Sequence, residues 1–153
     1  MAERVYLVIM DETDESRVAL RFAARRAAGT GGLVHIVALV PRQPFVAFGG
    51  VQATIEEEAR SRAEVLVTSA AGNIVSESGR MPVISVRQGD AVEVVRAYLV
   101  EHPEVSALVL GAAAEGSPGP LVTYFAASHP GKLPCPLMIV PGSIKDDELD
   151  RLS

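Results

Sequence analysis

The stretch SALVLGAAAEGSPGPLVTYF, Ser106 to Phe125, leaves a short apolar run through a loop of alanines, glycines and prolines. A continuous apolar run of this length, bounded by turn residues, suits a strand covered on both faces. Gly111, Gly116 and Gly119 punctuate its exit toward a helical segment over 120–127. A strand tip that passes through glycines into a helix is the frame of a phosphate-binding loop, in which backbone N–H groups converge on one anion.

Four other runs have the same character: VYLVIM (Val5–Met10), LVHIVALV (Leu33–Val40), PVISV (Pro82–Val86) and PLMIV (Pro136–Val140). Helical patterns fill the intervals. Ser16–Ala28 places Val18, Ala19, Phe22, Ala23 and Ala27 on one face, and Arg17, Arg21, Arg25 and Arg26 make a basic, solvated one. Thr54–Ser76 repeats Ala59, Ala63, Leu66, Val67, Ala70 and Ile74 at helical spacing, with Glu56, Glu57 and Glu58 in its first turns. Asp90–Glu101 begins with a capping aspartate and offers Val92, Val95 and Leu99 to a sheet.

Five strands therefore alternate with four helices, which predicts an α/β fold: an open, doubly wound, five-stranded parallel sheet with helices on both faces. Ligands of such sheets sit where the winding reverses. Polar and glycine chemistry gathers after the first strand (DETDES) and the fourth (GAAAEGSPG), whereas RQGD after the third is an ordinary helix-start turn. That places the first and fourth strands side by side and predicts the order 3-2-1-4-5. Residues 1–144 read as one domain, and the tail KDDELDRLS, 145–153, as a charged segment that does not pack.

Composition narrows the function. With 153 residues the chain is long enough to bury a core, and 48% apolar with 5% aromatic residues makes that core aliphatic. A net charge of −5 disfavours nucleic acid. The N-terminus lacks the order of regions a secretory signal needs, and the longest apolar run is strand-sized, so a soluble cytoplasmic protein without membrane association is expected. One cysteine forms no internal disulfide, and Cys135 reads as a small buried hydrophobe. His35, mid-strand, reads as a satisfied core residue. Three scattered histidines show no metal-ligand spacing.

At the first strand's tip, Asp11 can accept hydrogen bonds from a ribose or a base, or can simply cap the turn. Asp14 and Ser16 look like capping residues. At the fourth, the phosphate frame is short of donors. Pro118 and Pro120 have no N–H, and left-handed conformations would cost Ala112, Ala113 and Ala114 roughly 1–2 kcal/mol each. Glu115 adds negative charge, and no Lys or Arg lies between Arg96 and Lys132. Gly116 and Gly119 still permit close backbone approach, Thr123 offers a hydroxyl, and a helix starting near Pro120 would present its N-terminus to a small anion. Equally, SPGP is a tight turn. Val40 is either an adenine-sized apolar wall or core. The loop Pro41–Thr54, with Phe45 and Phe48 beside two glycines, reads as a lid or an interface.

VIMDETDES resembles the opening of the universal stress protein family, V-x-V-D-x-S-x-x-S, with Thr13 at the first serine. HIVALV, VRQGDAVEVV, LVLG and LPCPLMIVPG resemble that family's later strands in order and spacing, over nearly the whole chain. The resemblance implies a cytoplasmic homodimer without an assigned reaction, often binding an adenine nucleotide, and pairing through its last strand, here Pro136–Val140. ATP-binding members carry Gly, two residues, Gly, nine residues, then Gly with Ser or Thr. From Gly111 the later positions fall on Ala114 and on Tyr124–Phe125; from Gly116 the pair Gly116–Gly119 fits, but the last falls on His129–Pro130. The resemblance therefore implies a non-catalytic regulatory protein with no required cofactor. Its ligand site is Asp11, Val40, Gly111, Gly116, Gly119 and Thr123, holding ATP poorly and an AMP-like ligand weakly. A dimeric interaction protein without nucleotide is the rival. A receiver-like phosphoacceptor would need an aspartate at the third-strand tip and a lysine ending the fifth strand, and a nucleotide hydrolase would need a cation beside Asp11; none is placed by the sequence.

Overall fold

The structure, a computed structural model, describes residues 3–40 and 49–153, and the side chains of all of these except 49–53. Phe45 and Phe48 lie outside them. The five strands are β1 (Val5–Met10), β2 (Leu33–Val40), β3 (Val83–Gln88), β4 (Ala107–Ala112) and β5 (Leu137–Pro141). They pair in parallel in the order β3-β2-β1-β4-β5, as the polar clusters after the first and fourth strands predict. A receiver domain would instead place its first strand beside its third.

Every residue of β1 is buried, and successive residues serve opposite faces. Tyr6, Val8 and Met10 pack with α1 (Asp14–Thr30) and α2 (Gly49–Ser78), while Val5, Leu7 and Ile9 pack with α3 (Ala91–Glu101) and the segment that follows β4. α2 starts at Gly49, so the connection after β2 is shorter than the expected Pro41–Thr54 loop. Asp90 caps α3 by accepting from Glu93 N–H at 3.1 Å. Ahead of α1 the cap is Thr13, and neither Asp14 nor Ser16: Thr13 has the extended backbone of a cap, and its Oγ1 accepts from Ser16 N–H at 3.3 Å. After β4 comes a single α-helical turn, α4 (Pro120–Val122). It widens into a π-helical stretch over Thr123–Ser128, in place of the regular helix expected over 120–127.

The tail corrects the expectation of a free charged segment. Asp146–Leu152 forms a helix, α5, whose Leu149 is completely buried in the core shared by α1 and α2. The basic face of α1, expected to be solvated, meets it. Arg25 reaches Asp146 at 3.2 Å and Asp150 at 3.1 Å, Arg21 lies 3.8 Å from Asp146, and Arg26 donates to the Ser153 carbonyl oxygen at 3.2 Å. Exposed ion pairs contribute little, so Leu149 anchors the helix and the charges set its orientation.

His35 is buried, and its Nδ1 lies 2.8 Å from the hydroxyl of Tyr98, itself fully buried on α3. Burial holds the imidazole below its ordinary pKa, helped by His102 and opposed by Glu104. Cys135 is half-buried, and burial pushes its thiol up.

Leu149→Ala should cost about 2–5 kcal/mol, the usual range for a buried leucine. The urea midpoint reads this directly, and an unchanged midpoint would show that α5 contributes nothing to the core.

Candidate functional site

β1 and β4 end side by side, and the residues that follow them enclose a small cavity at the C-terminal edge of the sheet. Asp11 comes directly after β1. Its Oδ1 accepts from Thr13 N–H at 2.9 Å and from the Thr13 hydroxyl, which holds the turn into α1. Ser16 closes the same turn: its buried hydroxyl donates to the carbonyls of Thr13 (2.9 Å) and Asp11 (3.1 Å). Asp11 thus caps a turn and also lines the cavity, with no protein partner for Oδ2 among the described residues.

At the β4 tip, Gly111 pairs with Val140 of β5. A Cβ at Gly111 would sit 2.1 Å from the carbonyl oxygen of Glu15 in the first turn of α1. Beyond it the loop turns on Gly116 (φ 75°) and Gly119 (φ 113°), and Ala113 N–H donates to the Pro118 carbonyl at 3.2 Å, closing the loop on itself. Among the described residues positive φ is confined to glycine, so Ala112, Ala113 and Ala114 avoid the left-handed strain that a phosphate cradle would demand. One of the loop's N–H groups is turned to its own carbonyl, and two positions are proline. Gly119 caps α4 without a side-chain hydrogen bond, and Pro120 stands in the first turn.

The cavity measures about 110 Å³, below the roughly 300–1,000 Å³ usual for ligand pockets. Ile9, Leu39 and Leu110 supply its apolar wall, and Asp11 and Glu15 are its ionisable groups. Among the described residues, no Lys or Arg lines it. A phosphate here meets two carboxylates and few donors, whereas a hydroxyl or amine finds acceptors.

Of the six residues expected at the site, Asp11, Gly111 and Gly119 meet at this cavity. Val40 does not line it: almost fully buried, its side chain belongs to the core facing α1 and α2, and Leu39 stands at the wall instead. Gly116 occupies an exposed turn and Thr123 an exposed helical position, both outside the lining. Glu15 and Leu39 were missed. Glu15 could have been found from its place in the turn after β1, and Leu39 from strand alternation.

The sequence pattern of the Universal stress protein family matches residues 3–141. Among solved structures, the universal stress protein UspA from Lactobacillus plantarum superposes with a TM-score of 0.76 at 17% identity, over 92% of this chain and 99% of that one. A universal stress protein in complex with cAMP gives 0.57 at 16% identity, over 94% and 100%. A universal stress protein family protein from Arabidopsis thaliana with AMP bound gives 0.55 at 13%, over 95% and 94%. A search of curated protein sequences finds no match.

Gly111→Ala should destabilise by about 1–3 kcal/mol or more, since the obstruction is backbone on a packed helix. A variant with wild-type thermal stability would show that β4 and α1 are not locked together there.

Proposed function

This chain belongs to the universal stress protein family, and we propose that it is a non-catalytic regulatory module that takes an adenine nucleotide weakly at the tips of β1 and β4. The ligand carries one phosphate or none: it is AMP-like rather than ATP. A cavity lined by Asp11 and Glu15, with no Lys or Arg among the described residues around it, supports this reading. Asp11 Oδ2 accepts from the ribose, Ile9, Leu39 and Leu110 face the base, and a lone phosphate lies toward solvent near Gly119. No cofactor is required. Hydrolysis would need a cation to stabilise the departing phosphate, and the described residues of the lining supply none. Two relatives of the same fold are bound to AMP and to cAMP, each a monophosphate. No helix among the described residues is long and apolar enough to cross a membrane, and the proposed setting is the cytoplasm.

The second reading is a homodimeric interaction protein that binds no nucleotide. β5 is an edge strand, and its Ile139 is 42% exposed. An apolar edge with unpaired backbone groups pairs readily with a copy of itself across a two-fold axis.

Mass spectrometry of small molecules released on denaturation, followed by thermal-shift titration, separates the readings. At ten times its Kd, AMP should stabilise by about 1.4 kcal/mol, a Tm rise of about 3–6 °C, lost in Asp11→Ala, while ATP gives little. Equal or greater stabilisation by ATP would overturn the assignment of the loop as donor-poor. No nucleotide and no shift would leave the interaction protein.

The dimer has its own measurement. Sedimentation should give a dimer that Ile139→Lys converts to monomer with its circular dichroism unchanged. A monomeric wild type, or a dimer indifferent to Ile139→Lys, would rule out pairing through β5.

A further inference from the structure

At the opposite end of the sheet from the cavity, the fold collects residues that the sequence scatters. His35 is the third residue of β2, His102 caps the C-terminus of α3, and Glu104 follows on the connection to β4. One ring nitrogen of each histidine and one carboxylate oxygen of Glu104 lie within 4.8 Å of one another. His102 Nδ1 is 2.8 Å from Glu104 Oε1, a distance at which the imidazole N–H donates to the carboxylate, so both atoms already face one position. The rings of His35 and His102 stand edge to face, 5.7 Å between centroids, and His102 stacks on Tyr98 at 4.1 Å.

We propose that His35, His102 and Glu104 form a divalent transition-metal site, with zinc the favoured ion and solvent at the fourth position. Two imidazoles and one carboxylate are a donor set that zinc accepts. Zinc bonds of about 2.0–2.2 Å place tetrahedral ligands about 3.3 Å apart, so the wider gaps within the 4.8 Å set contract while the 2.8 Å His102–Glu104 pair opens. The contraction falls on the outer ligands: His35 is 4% exposed, whereas the side chains of His102 and Glu104 are 30% and 49% exposed and can turn. The metal takes the position of the proton shared by His102 and Glu104, and that proton leaves to solvent.

Tyr98 is a positioning residue. Its hydroxyl occupies His35 Nδ1 at 2.8 Å, which leaves Nε2 for the metal, the arrangement of a ligating histidine oriented through its other nitrogen. Arg87 lies over the Tyr98 ring at 4.9 Å and is itself held by Glu101 at 2.7 Å, which keeps the tyrosine in place. A metal bound here ties β2 to the end of α3 and the start of β4, so it clamps the sheet at the end away from the proposed nucleotide site.

The test uses the full chain without a histidine tag, stripped with chelator and titrated with Co²⁺. One equivalent should produce the visible bands of tetrahedral cobalt, which Zn²⁺ then displaces. His102→Ala and Glu104→Gln, both at partly exposed positions, should each weaken binding about 10-fold or more, and Tyr98→Phe about 10- to 100-fold. His129→Ala, at the only other histidine, should leave binding unchanged. His35 is buried and its replacement would disturb the core, so the decision rests on His102 and Glu104. Absence of cobalt bands, or binding that survives both substitutions, overturns the site.

Discussion

The contact on which the C-terminal edge of this molecule depends is the approach of β4 to α1 at Gly111. With room for no side chain between Gly111 and the Glu15 carbonyl, the strand tip lies directly on the first turn of the helix. That turn is in turn held to the end of β1 by Asp11, Thr13 and Ser16. A second glycine completes the lock from β5: Gly142 donates its N–H to the Ala112 carbonyl at 2.7 Å, and its missing Cβ would sit 2.7 Å from the same oxygen. Three strand tips and one helix start are fixed together, β4 and β5 by backbone contacts and β1 by the capping side chains of the turn. The size of the cavity between β1 and β4 is a consequence of that packing, set before any ligand is considered.

This gives Gly111 a role apart from phosphate. A glycine at the exit of the fourth strand is the first position of the family's nucleotide pattern, yet here close packing requires it whatever the loop beyond it does. The later positions answer to the ligand instead, and there the chain departs: Ala114 replaces a glycine, prolines remove N–H groups, and Glu15 adds a carboxylate to the lining. Packing and ligand chemistry thus separate along one loop. The framework is retained where backbone contacts demand it, and the donors thin out where only an anion would need them.

How much of this was readable in advance follows the range of the interactions. The strands and their order were legible, because a parallel strand buried on both faces must be continuously apolar, and because polar residues collect where the winding reverses. Three of the expected residues meet at the candidate cavity, Asp11 and Gly111 at strand tips and Gly119 at the start of α4. Val40 failed by one residue of strand parity. Ile9 and Leu39 share a face, Val40 lies on the other with Met10, and the period of two sends neighbours to opposite cores. Thr123 failed because the short α4 and its π-helical continuation leave that position exposed.

The tail and the histidines were hidden by distance in sequence, and each shows what local reading omits. Asp146 and Asp150 are one helical turn apart, as are Arg21 and Arg25, so two charged stretches that each read as solvated are complementary rows around Leu149. His35 and His102 lie 67 positions apart, and α3, running antiparallel to the strands, returns its C-terminus to the level where β2 begins. Nothing in the spacing announces that meeting. Polar groups at the two ends of the sheet are therefore constrained differently. At the C-terminal edge, close packing and the capped turn fix the tips. At the N-terminal edge one ligand is rigid and two are partly exposed on a helix end and a connection, which is the combination that lets side chains close on an ion without moving the core.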